Sequence, residues 1–132
     1  MEIVFEKGLI GLEQYKKYDL KELEGNPVFN ILESMDNKEI SFAVVSPSFV
    51  KEDYKVDKIS EERLMKSLKT NDKEDLVYVT IVSINKDIKK MTTNLRAPIA
   101  INRKSHKGEQ IVLNDESYLV KYPLIKEWQK CL

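Results

Sequence analysis

Apolar residues recur along this chain at two spacings, and the strand-like one dominates. Short runs rich in β-branched and aromatic residues predict strands over Ile3 to Phe5, Val28 to Leu32, Ile40 to Val45, Leu76 to Ile84, Ile99 to Ile101, Gln110 to Leu113 and Tyr118 to Tyr122. The Leu76 to Ile84 run is apolar at almost every position, which predicts a central strand covered on both faces, with Ile81 in its middle. Turn residues punctuate the runs at Asp36-Asn37-Lys38-Glu39, Asn85-Lys86-Asp87, Lys107-Gly108 and Asn114-Asp115-Glu116, and these short links suit antiparallel neighbours. The prolines, Pro27, Pro47, Pro98 and Pro123, fall at strand ends, where a missing backbone donor costs least. The fold class this predicts is mostly β: a compact antiparallel β-barrel-like single domain over residues 1–132, with one or two short helices.

The longer spacing appears once clearly. Ser60 is placed to cap a helix running to Lys69, with Glu61 and Glu62 at its positive end, Lys66 and Lys69 at its negative end, and Leu64, Met65 and Leu68 facing inward. A further helical turn is expected after Gly11, where Leu12, Tyr15 and Tyr18 recur three apart.

Composition narrows the functional classes. Apolar residues make up 42% of the 132 and charged residues 33%, which predicts a modest core inside a charged shell. Lys plus Arg equals Asp plus Glu at 22 each, so no net field gathers nucleic acid or an anionic membrane, and direct nucleic-acid or membrane partners are not expected. The N-terminal residues lack the basic start and apolar stretch of a secretory signal, which predicts a soluble, cytoplasmic protein. Cys131 is the single cysteine, and it cannot form an internal bridge.

Candidate chemistry is sparse. His106, the single histidine, sits in the basic run Arg103 to Lys107 with no neighbouring carboxylate to orient its ring, which predicts a solvated loop. One histidine and one cysteine fall short of a zinc ligand set. Gly8-Leu9-Ile10-Gly11 lacks the third glycine of a dinucleotide turn and the lysine of a nucleotide loop, so its glycines point instead to positive φ or close backbone approach. Asp72, Glu74 and Asp75 lack calcium-loop spacing and predict a solvated turn. Trp128 suits a lid or a partner anchor equally. No catalytic, metal or cofactor-binding residues are assigned, and an enzyme is not expected; Glu33 and Asp36, beside a turn, are poor candidates for a carboxylate pair.

Five segments in fixed order carry a resemblance. They are Phe5 to Glu13, Phe42 to Pro47, Asp53-Tyr54, Asn94-Leu95-Arg96-Ala97-Pro98-Ile99-Ala100-Ile101-Asn102, and Gly108 to Leu113, and the chain resembles the flagellar assembly factor family, FliW. Leu12, a smaller apolar residue, stands where that family usually has phenylalanine. The resemblance implies a barrel-like fold and a cytoplasmic chaperone that works by binding: flagellin is one partner and the translational repressor CsrA the other. CsrA would be antagonised when flagellin is scarce, which links flagellin supply to its translation. A monomer is expected. A structural subunit or a general helix-binding module without a regulatory role remains the alternative.

Partner-binding residues expected from these segments are Phe5, Gly8, Leu9, Gly11, Asp53, Tyr54, Asn94, Leu95, Arg96 and Pro98. Arg96 is the foremost, because its planar donors pair with carboxylates or carbonyls and arginine is enriched at binding hot spots. Phe5, Leu9 and Tyr54 are candidate anchors for a partner helix in an apolar groove. Asn94 equally suits a local turn, and Pro98 the end of a strand segment.

Overall fold

The structure, a computed structural model, describes residues 1–26 and 28–124. Trp128 and Cys131 lie outside the described residues, as does Pro27. The strands are β1 (Glu2–Val4), β2 (Lys17–Glu22), β3 (Phe29–Ser34), β4 (Ser41–Val45), β5 (Leu76–Ser83), β6 (Thr92–Thr93), β7 (Ile99–Asn102), β8 (Lys107–Gln110) and β9 (Tyr122–Pro123). Two helices, α1 (Pro47–Val50) and α2 (Lys58–Ser67), lie between β4 and β5.

Strands β1 to β4 form an antiparallel meander, and β4 then pairs with β5 through Ala43↔Val82, Val44↔Ile81 and Val45↔Thr80. From β5 the order continues through β7 and β8 back to β1, so seven strands close a barrel and β6 and β9 extend one side of β5. The closing contact, Val4 against Lys107, is the one parallel pairing among the described residues. Closure pairs, where β1 meets β8, two edges that an open sheet of this size would leave exposed.

Alternation along each strand divides the apolar residues between two faces. Ile3, Phe5, Tyr18, Leu32, Val44, Val79, Ile99 and Ile101 point inward and fill the barrel, with Leu9 closing over them. The outward face of β5 is covered as well. Leu76 and Tyr78 pack with Ala100 beneath Leu64 and Leu68 at the α2 side, and Val82 packs with Val45, Phe29, Val50 and Leu124. The central-strand expectation thus holds for β5, although Ile81 itself is half-buried where the strand nears the barrel mouth.

Several local expectations are corrected. The cap of α2 is Asp57, not Ser60: the Asp57 carboxylate accepts the Ser60 backbone N–H at 3.0 Å and the Ser60 hydroxyl at 2.7 Å. Asp57 has the extended backbone a cap requires, whereas Ser60 is already inside the first turn. No helix follows Gly11; Leu9 and Leu12 form an isolated antiparallel bridge closed by Leu12 N–H to Leu9 O at 2.9 Å. Lys107-Gly108 is strand rather than turn. The reversal comes earlier, at residues 103–106, because the Asn102 side chain accepts the Lys104 and Ser105 amides. His106 occupies that exposed turn with φ of 60°. Tyr118 lies in a turn, and the last strand contains only Tyr122–Pro123.

The acidic cluster is a turn of mixed character. Asp72 caps a 3-10 turn at Lys73–Asp75, while Asp75 is buried and accepts the Thr70 hydroxyl at 2.6 Å, with Lys104 3.4 Å away. The Thr70 hydrogen bond, ahead of Lys104, holds the Asp75 carboxyl below its usual range.

Candidate functional site

At one mouth of the barrel the chain stops behaving as a sheet. β1 ends at Val4, the chain turns through Gly8 and Gly11, and this loop folds over the barrel end. Gly8 requires glycine twice over: its φ is 69°, and a Cβ there would lie 2.5 Å from the Glu13 Cα. Leu9 is thereby pressed into the barrel, 1% exposed, while Ile10 faces outward. Ile10 N–H donates to the Gln110 side-chain oxygen at 3.0 Å, and the Gln110 amide nitrogen donates to Ala97 O at 3.1 Å. Gln110 therefore ties the glycine loop to the segment before β7.

That segment, Asn94 to Pro98, joins several parts of the molecule. The Asn94 carboxamide accepts the Arg96 and Ala97 amides at 3.1 Å each, an Asx turn that fixes the backbone. Arg96 Nε donates to Tyr118 O at 3.0 Å and its Nη2 to Glu116 O at 2.7 Å. Leu95 N–H donates to Leu119 O, and Leu95 O accepts the Tyr54 hydroxyl at 2.7 Å. Tyr54 lies against Tyr118 with ring centroids 4.7 Å apart, and the Tyr118 hydroxyl in turn donates to Lys55 O. Burial, then the neighbouring Tyr118, pushes the Tyr54 hydroxyl well above its ordinary range, which favours the protonated form that donates to Leu95 O.

Beside this junction lies a cleft of about 420 Å³, lined by Leu9, Leu12, Phe42, Ile81, Arg96 and Val112, among others. Among the described residues its lining carries Arg96 and Lys121 and no carboxylate. A mostly apolar concave surface with a few fixed polar groups suits ligand or peptide capture. Among the described residues no group of three His, Cys, Asp or Glu side chains is arranged to hold a metal ion.

The structure thus gathers Leu9, Asn94 and Arg96 at one cleft. Phe5 and Leu95 have no exposed surface and Pro98 is buried, so these shape the wall behind it. Gly8 and Gly11 set the loop, Gly11 with φ of 86° in open space. Asp53 lies apart, in an exposed turn beside Lys51 at 2.7 Å. Phe5, Leu9 and Tyr54 do not form a row of helix anchors: Phe5 is core, and the Tyr54 hydroxyl is bonded to Leu95 O. Sequence reasoning missed Gln110, Val112, Phe42 and Ile81 as lining residues. The usable signal was that Phe42 and Ile81 continue the inward-facing rows of Val44 and Val79 toward the barrel mouth.

Residues 1–124 match the family model described as FliW protein. The flagellar assembly factor FliW of Clostridium acetobutylicum is 48% identical over 119 residues, covering 90% of this chain and 83% of that protein. The corresponding factor of Clostridium tetani is 43% identical over 129 residues, covering 98% of this chain and 88% of its own length. Among solved structures, a crystal structure of the flagellar assembly factor FliW superposes with a TM-score of 0.85 at 27% identity, covering 93% of this chain and 84% of that one. Fold, family model and relatives agree along nearly the whole length: the chain belongs to the FliW family of flagellar assembly factors.

Proposed function

We propose that this protein is a cytoplasmic, monomeric assembly factor that binds flagellin at the barrel mouth and, when free of flagellin, binds and antagonises the translational repressor CsrA. The observation that supports it is the apolar cleft beside the Asn94 to Pro98 junction, in a member of a family named for flagellar assembly. Neutral net charge favours action on the repressor protein over action on its RNA. The protein works by binding, and flagellin supply sets how much of it is left to relieve repression.

For flagellin to displace the repressor at comparable concentrations, each partner must weaken the other about a hundredfold, about 2.7 kcal/mol of coupling. Arg96 supports the cleft through the backbone it holds, since its bonds go to Tyr118 O and Glu116 O. A titration tests the switch. Flagellin added to a labelled complex with CsrA should release CsrA, and a stable ternary complex at saturation would refute it.

A further inference from the structure

The geometry points to an open strand edge at Gln110 to Leu113 that takes an extended segment of the partner as an added strand, with apolar and acidic side chains alternating along it. This rests on the flagellin-binding proposal above and specifies how that contact is made.

Alternate peptide groups of an antiparallel strand face opposite edges. Toward β7, Ile111 N–H donates to Pro98 O at 3.1 Å and Leu113 N–H to Arg96 O at 2.7 Å. Val112, between them, turns its N–H and C=O to the other edge. Among the described residues nothing continues the sheet there, because β1 stops at Val4 and the chain leaves toward Gly8. Ile10 approaches only through the side chain of Gln110. Among the described residues no hydrogen bond involves the backbone of Val112, whose side chain is also exposed.

This edge separates two hollows, and Gln110 and Val112 line both. One is the apolar mouth cleft. The other is a groove of about 480 Å³ between α2 and β8, with Lys7, Arg63 and Lys66 along its wall. Its one carboxylate, Glu109, is shared by Lys7 at 3.3 Å and the Ser67 hydroxyl, while Arg63 and Lys66 have no ion pair among the described residues. An added strand sends successive side chains to opposite faces. Apolar residues would enter the mouth, and acidic ones would meet Arg63 and Lys66. A helix satisfies its own amides and would leave those of Val112 unmet.

The test uses the full chain with flagellin from the same bacterium as the probe. Hydrogen exchange should find the Val112 amide unprotected in the free protein and protected in the complex. Val112→Pro removes the donor without breaking any hydrogen bond among the described residues, and should weaken flagellin binding about tenfold or more, whereas Val112→Ala should change it less than about threefold. A matching melting temperature checks the fold of the proline variant; if that variant fails to fold, the wild-type exchange result decides. Arg63→Glu combined with Lys66→Glu should weaken binding and flatten its salt dependence. Equal binding by Val112→Pro, or an unprotected Val112 amide in the complex, overturns the strand edge and leaves flagellin binding intact. Failure of the wild-type chain to bind flagellin overturns the underlying proposal and this inference with it. Protection of Val112 in the free protein that rises with its concentration assigns the edge to a second copy and overturns the inference.

Discussion

The β7–β8 ribbon has two ends with different fates. At Asn102 and Lys107 it is part of the barrel wall, paired with β5 on one side and with β1 on the other. At Pro98 and Ile111 the same ribbon keeps its internal bonds but loses β1 as a neighbour. The change follows from the length of β1, which spans only Glu2–Val4 before its chain turns away. A wall needs both neighbours, and a binding edge arises where one strand ends before the strand beside it. Rigidity at one end and an unmet backbone at the other can therefore belong to one pair of strands.

Substitutions can separate these two regions, beginning with the largest expected effect. Val79 faces the sealed interior at 6% exposure, so Val79→Asp should lose about 4 kcal/mol or more in urea unfolding through an unpaired buried charge. Ile81, half-buried at the mouth, should lose clearly less on the same change, about 1–2 kcal/mol, because water reaches the new carboxylate. Equal losses at the two sites would erase the distinction between wall and mouth.

Gly8→Ala should cost about 2–3 kcal/mol, since the methyl meets the Glu13 backbone and φ is positive. Gly11→Ala, with open space around it, should cost only about 1 kcal/mol. Arg96→Ala should lose about 2 kcal/mol by freeing Tyr118 O and Glu116 O, and faster amide exchange should appear in residues 115–120. Native exchange there would show that the guanidinium does not hold that loop.

A further small effect concerns α2, outside both regions. The Ser60 amide, followed by its hydroxyl, holds the Asp57 carboxyl below its ordinary range. The folded-state pKa is thus lower than the unfolded one, so this stabilisation is present above the ordinary carboxylate value and is lost as pH falls through the folded one. Asp57→Ala should cost about 1 kcal/mol at neutral pH, with the gap to wild type closing in acid. A gap that persists unchanged in strong acid would contradict the capping role.

How far the sequence foretold this depends on the range over which each feature is decided. β3, β4, β5 and β7 were legible because β-branched or aromatic residues recur in them. β2 was not, since Lys17-Tyr18-Asp19-Leu20-Lys21-Glu22 is mostly polar; only its alternation, with Tyr18 and Leu20 inward, marked it as a strand. α1 was hidden within four residues opened by Pro47. Among the candidate site residues, Asn94 and Arg96 were singled out by residue type. Type did not reveal that Arg96 bonds to its own chain, nor that Leu95 is buried. The Val112 edge was beyond local reading, because it depends on where β1 stops relative to a strand about a hundred residues later.

The pairing of Val4 with Lys107, reinforced by Lys107 and Glu6 at 2.9 Å, also orders events in time. At a synthesis rate on the order of 5–20 residues per second, the meander of β1 to β4 exists for seconds before β8 has been made. During that interval β1 has β2 on one side and an open edge on the other, a template for mispairing with other chains. Closure joins ends roughly a hundred residues apart and offers little local reward until it is complete. The barrel is thus completed late, and a covering of β1 that lasts until β8 emerges should reduce mispairing of the growing chain.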